Sequence, residues 1–317
     1  MQRTLVTGAD GFAGQHLCKV LHQAGHHVIA LRHGQSPLSV WADEHLQCDI
    51  RDASAVEMAV QEAAPSLVVH LAAITHIPTS FDKPQLTWQT NVMGSLNLFE
   101  ALHRHAPHAF TLFASSSEVY GASFKQGFPL DENAPCQPLN PYAASKLAAE
   151  TAFRQYLQRN LRGIIARPFN HLGPGQSTDF AASSFARQIA QIEAGQQPPL
   201  LKVGNLEAYR DFLDVEDVCN AYAKLLRLSE QDDYASCINI CSGKPRKIQD
   251  ILETLLNLSR TPITIQPEPS RMRPSDIPYA TGSNERLCAL TEWQPTKDLS
   301  STLSDLLEYW RAEAATQ

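Results

Sequence analysis

The chain has 317 residues, 43% of them hydrophobic, enough to bury a large core in one or two domains. Its formal net charge is -7, from 26 Lys and Arg against 33 Asp and Glu. That disfavours a nucleic-acid surface but permits a local basic pocket for small anions. Seven cysteines without a paired C-x-x-C spacing argue against a disulfide framework or a zinc site, and for reduced thiols in a cytoplasmic protein.

Strand and helix patterns alternate from the N-terminus, which shows no signal-peptide pattern. Thr4 to Thr7 is a short apolar strand, and Phe12 to Ala24 a helix stopped by Gly25. His27 to Leu31 is a second strand, Leu46 to Asp49 is short and extended, and Ser54 to Ala64 is helical. Ser66 to Ala72 is a near-continuous apolar run, as expected of a buried parallel strand. Trp88 to His105 is predicted as one long helix, Phe110 to Ser115 as a strand, Tyr142 to Asn160 as a helix and Gly163 to Arg167 as a strand. No apolar run nears the ~20 residues of a membrane span.

After Pro168 the pattern loosens. Helices are predicted near Phe185–Ala194, Val215–Leu228, Lys247–Asn257 and Leu299–Ala314, with a strand at Cys237–Ile240. The alternation implies an α/β fold: a Rossmann-type doubly wound parallel sheet with a smaller C-terminal α/β substrate domain. The expected division gives 1–169 plus about 207–243 to the first, sheet-forming domain, and about 170–206 plus 244–317 to the second.

VTGADGFAG places Gly8, Gly11 and Gly14 between the first strand and the first helix. The physics suits a pyrophosphate: a tight turn, close backbone approach, and a helix N-terminus facing negative charge. An acidic residue after the second strand would bond the adenosine ribose. Arg32 stands there instead and suits a 2′-phosphate, so NADP(H) is expected, with NAD(H) as the alternative. Asp49 and Ile50 follow the next short strand and are candidates to hold the adenine; a plain turn aspartate is the competing reading.

Tyr142 and Lys146 are four apart in PYAASK, one helical turn on one face. An ammonium there would favour the phenolate of a side chain that titrates near ~10 when free. Ser116, in ASSSEVYG, can hold a substrate oxygen against Tyr142. Such a group exchanges a proton at an alcohol or ketone while a hydride moves at the carbon. The scattered histidines lack metal-ligand spacing, so no metal is expected.

TGADGFAG, the HLAA at 70–73, Asn91 in NVMGSLNL, SSSEVYG, YAASK and RPFN together resemble the extended short-chain dehydrogenase/reductase family, as does RDFLDVEDV at 210–218. The family comprises nucleotide-sugar epimerases, dehydratases and reductases. The resemblance implies Tyr142 as acid/base, Lys146 as its modulator and a ribose contact, and Ser116 as the substrate hydroxyl partner. It adds Phe12, Leu71, Ala72, Ala73 and Phe169 to the cofactor contacts, puts Asn170 beside the substrate at the nicotinamide end, and leaves Asn91 a structural place beside the catalytic pair.

RPFNHLGPGQ and the RPSDIPYATGSNERL segment are similar to the GDP-4-keto-6-deoxy-D-mannose reductases; the second is shared with the GDP-mannose dehydratases. The expected partner is thus a GDP-linked sugar, or another nucleotide-linked one. Glu118 matches the dehydratases' proton-abstracting glutamate, but the reductases carry it too, so it does not separate them. Arg210 and Arg273 are candidates for the substrate pyrophosphate, since guanidinium forks suit phosphates. Ser80 is a candidate for the sugar or a phosphate, and His171 and Gln176 begin a loop that could approach the sugar. Family members commonly pair through two helices, which makes a homodimer the default.

Overall fold

The computed structural model describes residues 2–34, 38–231, 236–271 and 277–316. Strands, numbered in chain order, are β1 (Arg3–Thr7), β2 (His27–Arg32), β3 (Glu44–Gln47), β4 (Leu67–His70), β5 (Phe110–Ala114), β6 (Arg162–Pro168), β7 (Asn170–Leu172), β8 (Leu200–Val203), β9 (Tyr209–Asp214), β10 (Cys237–Ile240), β11 (Pro245–Lys247), β12 (Thr264–Pro267) and β13 (Tyr279–Ala280). Seven of them form one sheet in the order β10-β6-β5-β4-β1-β2-β3. Every neighbouring pair in it is parallel.

Both faces of this sheet are covered, which is why β1, β4 and β5 are buried at nearly every position. One face packs on helices Phe12–Gln23 and Val215–Leu226 through Leu17, Leu21, Val218 and Leu225. The other packs on Ala53–Ala63, Ser95–His105 and Pro141–Gln158 through Val56, Phe99, Leu102 and Phe153. The chain order reverses between β1 and β4, so the crevice beyond their carboxyl ends is the place where such a sheet takes a ligand.

The second half builds a separate core from helices Ala181–Glu193, Ile248–Asn257 and Leu299–Ala315, with Leu201 and Val203 of β8. A smaller sheet there joins β9 to β7, β11 and β13, and β8 pairs with β12. Of these strands the sequence pattern signalled none.

The predicted helix from Trp88 to His105 is not uniform. Pro84–Trp88 is α-helical, Gln89–Gly94 is a π-helical turn, and regular helix resumes over Ser95–His105. The interruption has a local cause. The Asn91 amide turns inward, accepting from Ile74 N at 2.8 Å and donating to Ile74 O at 2.9 Å. Such π-turns gather at functional sites. A second departure is a tight helical segment, Ser117–Gln126, where Gly121 takes a φ of +48°.

His70, at the end of β4, is buried to 1% exposure and fixed as a neutral ring. Ala72 N donates to Thr7 Oγ1, and in the neutral ring the Thr7 hydroxyl donates to His70 Nδ1 at 2.7 Å. The ring then donates from Nε2 to Ser95 Oγ at 2.8 Å, and that hydroxyl donates to Asn91 O. Burial, then the Lys146 charge, push this imidazole down to about 3. The unfolded ring titrates near its ordinary 6.5, so the unfolded state binds the extra proton first. The stability contribution is present above that value and lost as pH falls from 6.5 towards 3. Urea midpoints at pH 7 and pH 5 should show a loss for the wild type that is smaller in His70→Gln; equal losses would contradict this.

Candidate active site

The site is assembled from loops at the carboxyl ends of β1, β2, β4, β5 and β6. Gly8 has a φ of +69°, and a side chain on it would stand 2.9 Å from Ala72 Cα. The glycine turn therefore lies directly on the Leu71–Ala73 loop. A Cβ on Gly14 would strike the Gly8 carbonyl and approach Ala9 Cα to 2.7 Å. Gly11 caps helix Phe12–Gln23 without a side-chain bond. These glycines leave a cradle of main-chain N–H groups at a helix N-terminus, which fits a dinucleotide's pyrophosphate.

Arg32 closes β2 beside this turn, 8% exposed, with Nη2 donating to Gly34 O at 3.0 Å. A cleft of about 400 Å³ lies here, lined by Asp10, His16, Lys19, Arg32, Trp41 and His45. Its cations suit an added phosphate. Asp49 stays nearby at the surface, forked by Arg51 Nε at 2.9 Å and 3.4 Å from His33. Ile50 differs from expectation: its side chain is buried, and a Cβ on Gly94 would sit 2.7 Å from its Cδ1. It packs in the sheet's core instead of offering its side chain to the cleft.

Tyr142 stands in the first turn of helix Pro141–Gln158, 7% exposed, with its backbone held on both sides. Its N–H, an orphan donor at a helix start, donates to Ser80 Oγ at 3.2 Å. Its carbonyl accepts from Ser145 Oγ at 2.7 Å, and Asn91 Nδ2 donates to that same hydroxyl at 2.9 Å. Asn140 caps the helix by accepting from Ala143 N at 2.8 Å, while its Nδ2 donates to Glu118 Oε2 at 3.2 Å. Ser116 lies beside the Tyr142 hydroxyl, and its Oγ accepts from Glu118 N at 3.2 Å. Lys146, one turn on and 3% exposed, lies with Nζ 4.8 Å from the centre of the Phe113 ring.

Thus Ser116, Glu118, Tyr142 and Lys146 gather as expected, but the electrostatics differ. Burial pushes the Tyr142 phenol up to about 12, against the Ser116 bond, and the Glu118 charge pushes it further the same way. Burial thus favours the protonated phenol, in the opposite sense to a neighbouring ammonium. Burial also pushes the Lys146 ammonium down to about 8.

Other expected contacts fall differently. Ser80 is fully buried; its hydroxyl donates to Ile77 O at 2.6 Å and accepts from Tyr142. It supports the tyrosine from beneath and has no open face for a sugar or phosphate. The Phe169 ring is 2% exposed and packs with Tyr120, Phe124 and Cys241, so it is core rather than cleft wall. Asn170 is half-buried, its Nδ2 donating to Asp211 O at 3.4 Å. Arg210 donates to Tyr209 O and Ile277 O and feels the Glu118 charge, which places it at the Tyr142 end of the site. Arg273 lies outside the described residues. Phe12 stacks on His171, centroids 5.9 Å apart and planes within 8°. Gln176 turns back to donate to His171 O at 2.7 Å.

The structure adds Asn140 and Ser145, which the sequence reading did not single out. Asn140 had a readable signal, a capping residue directly before a proline at a helix start. Ser145 had none, because its role depends on Asn91 arriving from another element.

The model of the family described as GDP-mannose 4,6 dehydratase matches residues 5–306. The GDP-6-deoxy-D-mannose reductase of Pseudomonas aeruginosa is 36% identical over 312 residues, covering 98% of each chain. The solved structure of RMD from Pseudomonas aeruginosa complexed with NADPH superposes with a TM-score of 0.86 at 35% identity, over 99% of this chain and 100% of that one. The UDP-glucose 4-epimerase of Thermus thermophilus, solved with NAD, gives 0.85 at 26% identity, over 98% and 99%. With the family model spanning most of the chain and these likenesses covering nearly its whole length, the chain belongs to the GDP-mannose 4,6-dehydratase family of extended short-chain dehydrogenases/reductases.

Proposed function

We propose that this enzyme reduces the 4-keto group of GDP-4-keto-6-deoxy-D-mannose to give GDP-D-rhamnose, with NADPH as reductant. The observation that carries the reading is the buried Tyr142 beside Ser116 and one helical turn before Lys146, in a fold whose first strand ends in a glycine cradle with a cationic rim. The likeness to a GDP-6-deoxy-D-mannose reductase supports the substrate class. Gly8, Gly11, Gly14 and the loop at Leu71–Ala73 would hold the dinucleotide, with Arg32 at the 2′-phosphate. When bound, it supplies the hydride that reaches sugar C4.

The chain's own part is the proton. Ser116 orients the carbonyl oxygen, and Tyr142 gives its phenolic proton to the oxygen of C4 as negative charge grows there. An alkoxide is a far stronger base than a phenolate, so a phenol held near 12 still transfers its proton downhill. Both donors favour a charge that exists only in the transition state. Lys146, cationic below about pH 8, steadies the phenolate left behind.

A second reading is redox-neutral, a 4,6-dehydratase or 4-epimerase. Glu118 favours it, as a carboxylate beside the sugar position. Against it, that carboxylate is tied to Asn140 Nδ2 and faces Arg210, as an oriented wall would be. We also infer a cytoplasmic homodimer pairing through the segments 88–105 and 142–160, where Trp88 and Met93 are 43% and 50% exposed.

NADPH absorbance should fall one-for-one with GDP-4-keto-6-deoxy-D-mannose consumed. Conversion of GDP-mannose with no net cofactor change would instead establish the redox-neutral reading. Tyr142→Phe should bind nucleotide nearly normally and lose turnover ~100-fold or more; near-normal turnover would remove the mechanism. The ratio of kcat/KM for NADPH over NADH should exceed one and collapse in Arg32→Ala. A wild-type preference for NADH would refute the role given to Arg32.

A further inference from the structure

Helix Pro141–Gln158 carries Tyr142, Lys146 and Glu150 at successive turns of one face, all three buried. Glu150 is wholly inaccessible. Its carboxylate accepts from Arg167 Nε at 2.9 Å and Nη2 at 2.7 Å, a two-point fork, with Arg154 Nη2 at 3.4 Å. Arg167, on β6, is 3% exposed and lies 4.8 Å over the Tyr120 ring, whose hydroxyl donates to Asn239 on β10. A buried ion pair of this kind costs desolvation that an apolar pair would avoid. Its place is also specific: Glu150 stands one turn beyond Lys146 on the face that carries the reacting phenol.

We propose that Glu150, clamped by Arg167, is a positioning residue whose negative charge keeps Lys146 protonated beneath the reacting phenol. The other titratable or aromatic groups on the neighbouring elements do not serve. His70, from β4, is neutral with both ring nitrogens bonded. Phe113, from β5, offers only its ring face. Glu118, from the segment Ser117–Gln126, is tied to Asn140. Glu100, on the helix packed alongside, is taken by Arg104 and by the Tyr156 hydroxyl. Burial lowers the Lys146 ammonium, and Glu150 is the group that opposes it.

The inference rests on the proposed roles of Tyr142 and Lys146, and its test separates the two. The ionisation of Lys146 is read directly in cofactor-free protein by NMR of 13Cε-labelled lysine, and the alkaline limb of turnover is read with NADPH and GDP-4-keto-6-deoxy-D-mannose. Glu150→Gln should lower both midpoints together by about one pH unit or more, as loss of a near opposite charge does. Glu150→Asp should restore them. If Glu150→Gln fails to fold with Arg167 stranded, Glu150→Gln/Arg167→Gln removes both charges and should lower the Lys146 midpoint by less, since a cation leaves with the carboxylate. An unchanged lysine midpoint in either folded variant overturns the inference, whatever Tyr142→Phe does. A lowered lysine midpoint with an unmoved turnover limb keeps the electrostatic link and overturns the catalytic role of Lys146.

Discussion

The site depends on how tightly one helical turn is held. Tyr142 has its amide bonded to Ser80, its carbonyl to Ser145, and the cap of its helix shared between Ala143 N and Glu118. Each bond satisfies a main-chain group that would otherwise be costly in a buried setting. Asn91 carries the constraint outward, joining Ser145 to the Ile74 backbone and so to the loop after β4. A proton donor that must meet an oxygen within a few tenths of an ångström needs this kind of support. The π-turn in the neighbouring helix is the local distortion that delivers the Asn91 amide.

Burial has opposite consequences for different side chains along the chain. In RDFLDVEDV the three aspartates look like loop or catalytic carboxylates, yet each is a staple. Asp211 accepts from Ser242, Gly243 and Thr281, Asp214 from Glu216 N and Thr302, and Asp217 from Thr296 and Lys297. They tie distant C-terminal segments to β9 and to the helix that follows it. Tyr142 and Lys146 are buried as deeply but keep their reactive ends without such saturation. The difference between these staples and the groups proposed for catalysis is how many donors and acceptors are already occupied.

Electrostatics at the site favour loaded acids over activated bases. The spacing of Tyr142 and Lys146 alone suggested a phenol made easier to ionise. In three dimensions desolvation is the largest influence on the phenol, Ser116 opposes it, and Glu118 adds to it. Lys146 directs part of its field at the Phe113 ring, a favourable but weak partner. A phenol that keeps its proton suits donation to a growing alkoxide, the direction a reductase needs.

Local pattern was enough for the parallel sheet, because every strand from β1 to β6 except β3 is a dense apolar run and the intervening helices have 3.6-residue periodicity. It was enough, too, to place the glycine turn between the first strand and helix and to put Tyr142 and Lys146 one turn apart on one helix, since those motifs are contiguous or one turn apart. The strands of the second half escaped because they are short, half-exposed or charged, and are stabilised by partners far along the chain. Only the folded chain showed that Ser80 and Phe169 face inward, that Ile50 is core, and that Asn140 ties Glu118 to the tyrosine's helix. Those outcomes turn on which atoms lie across a few ångströms of space, and one-dimensional order carries no record of that.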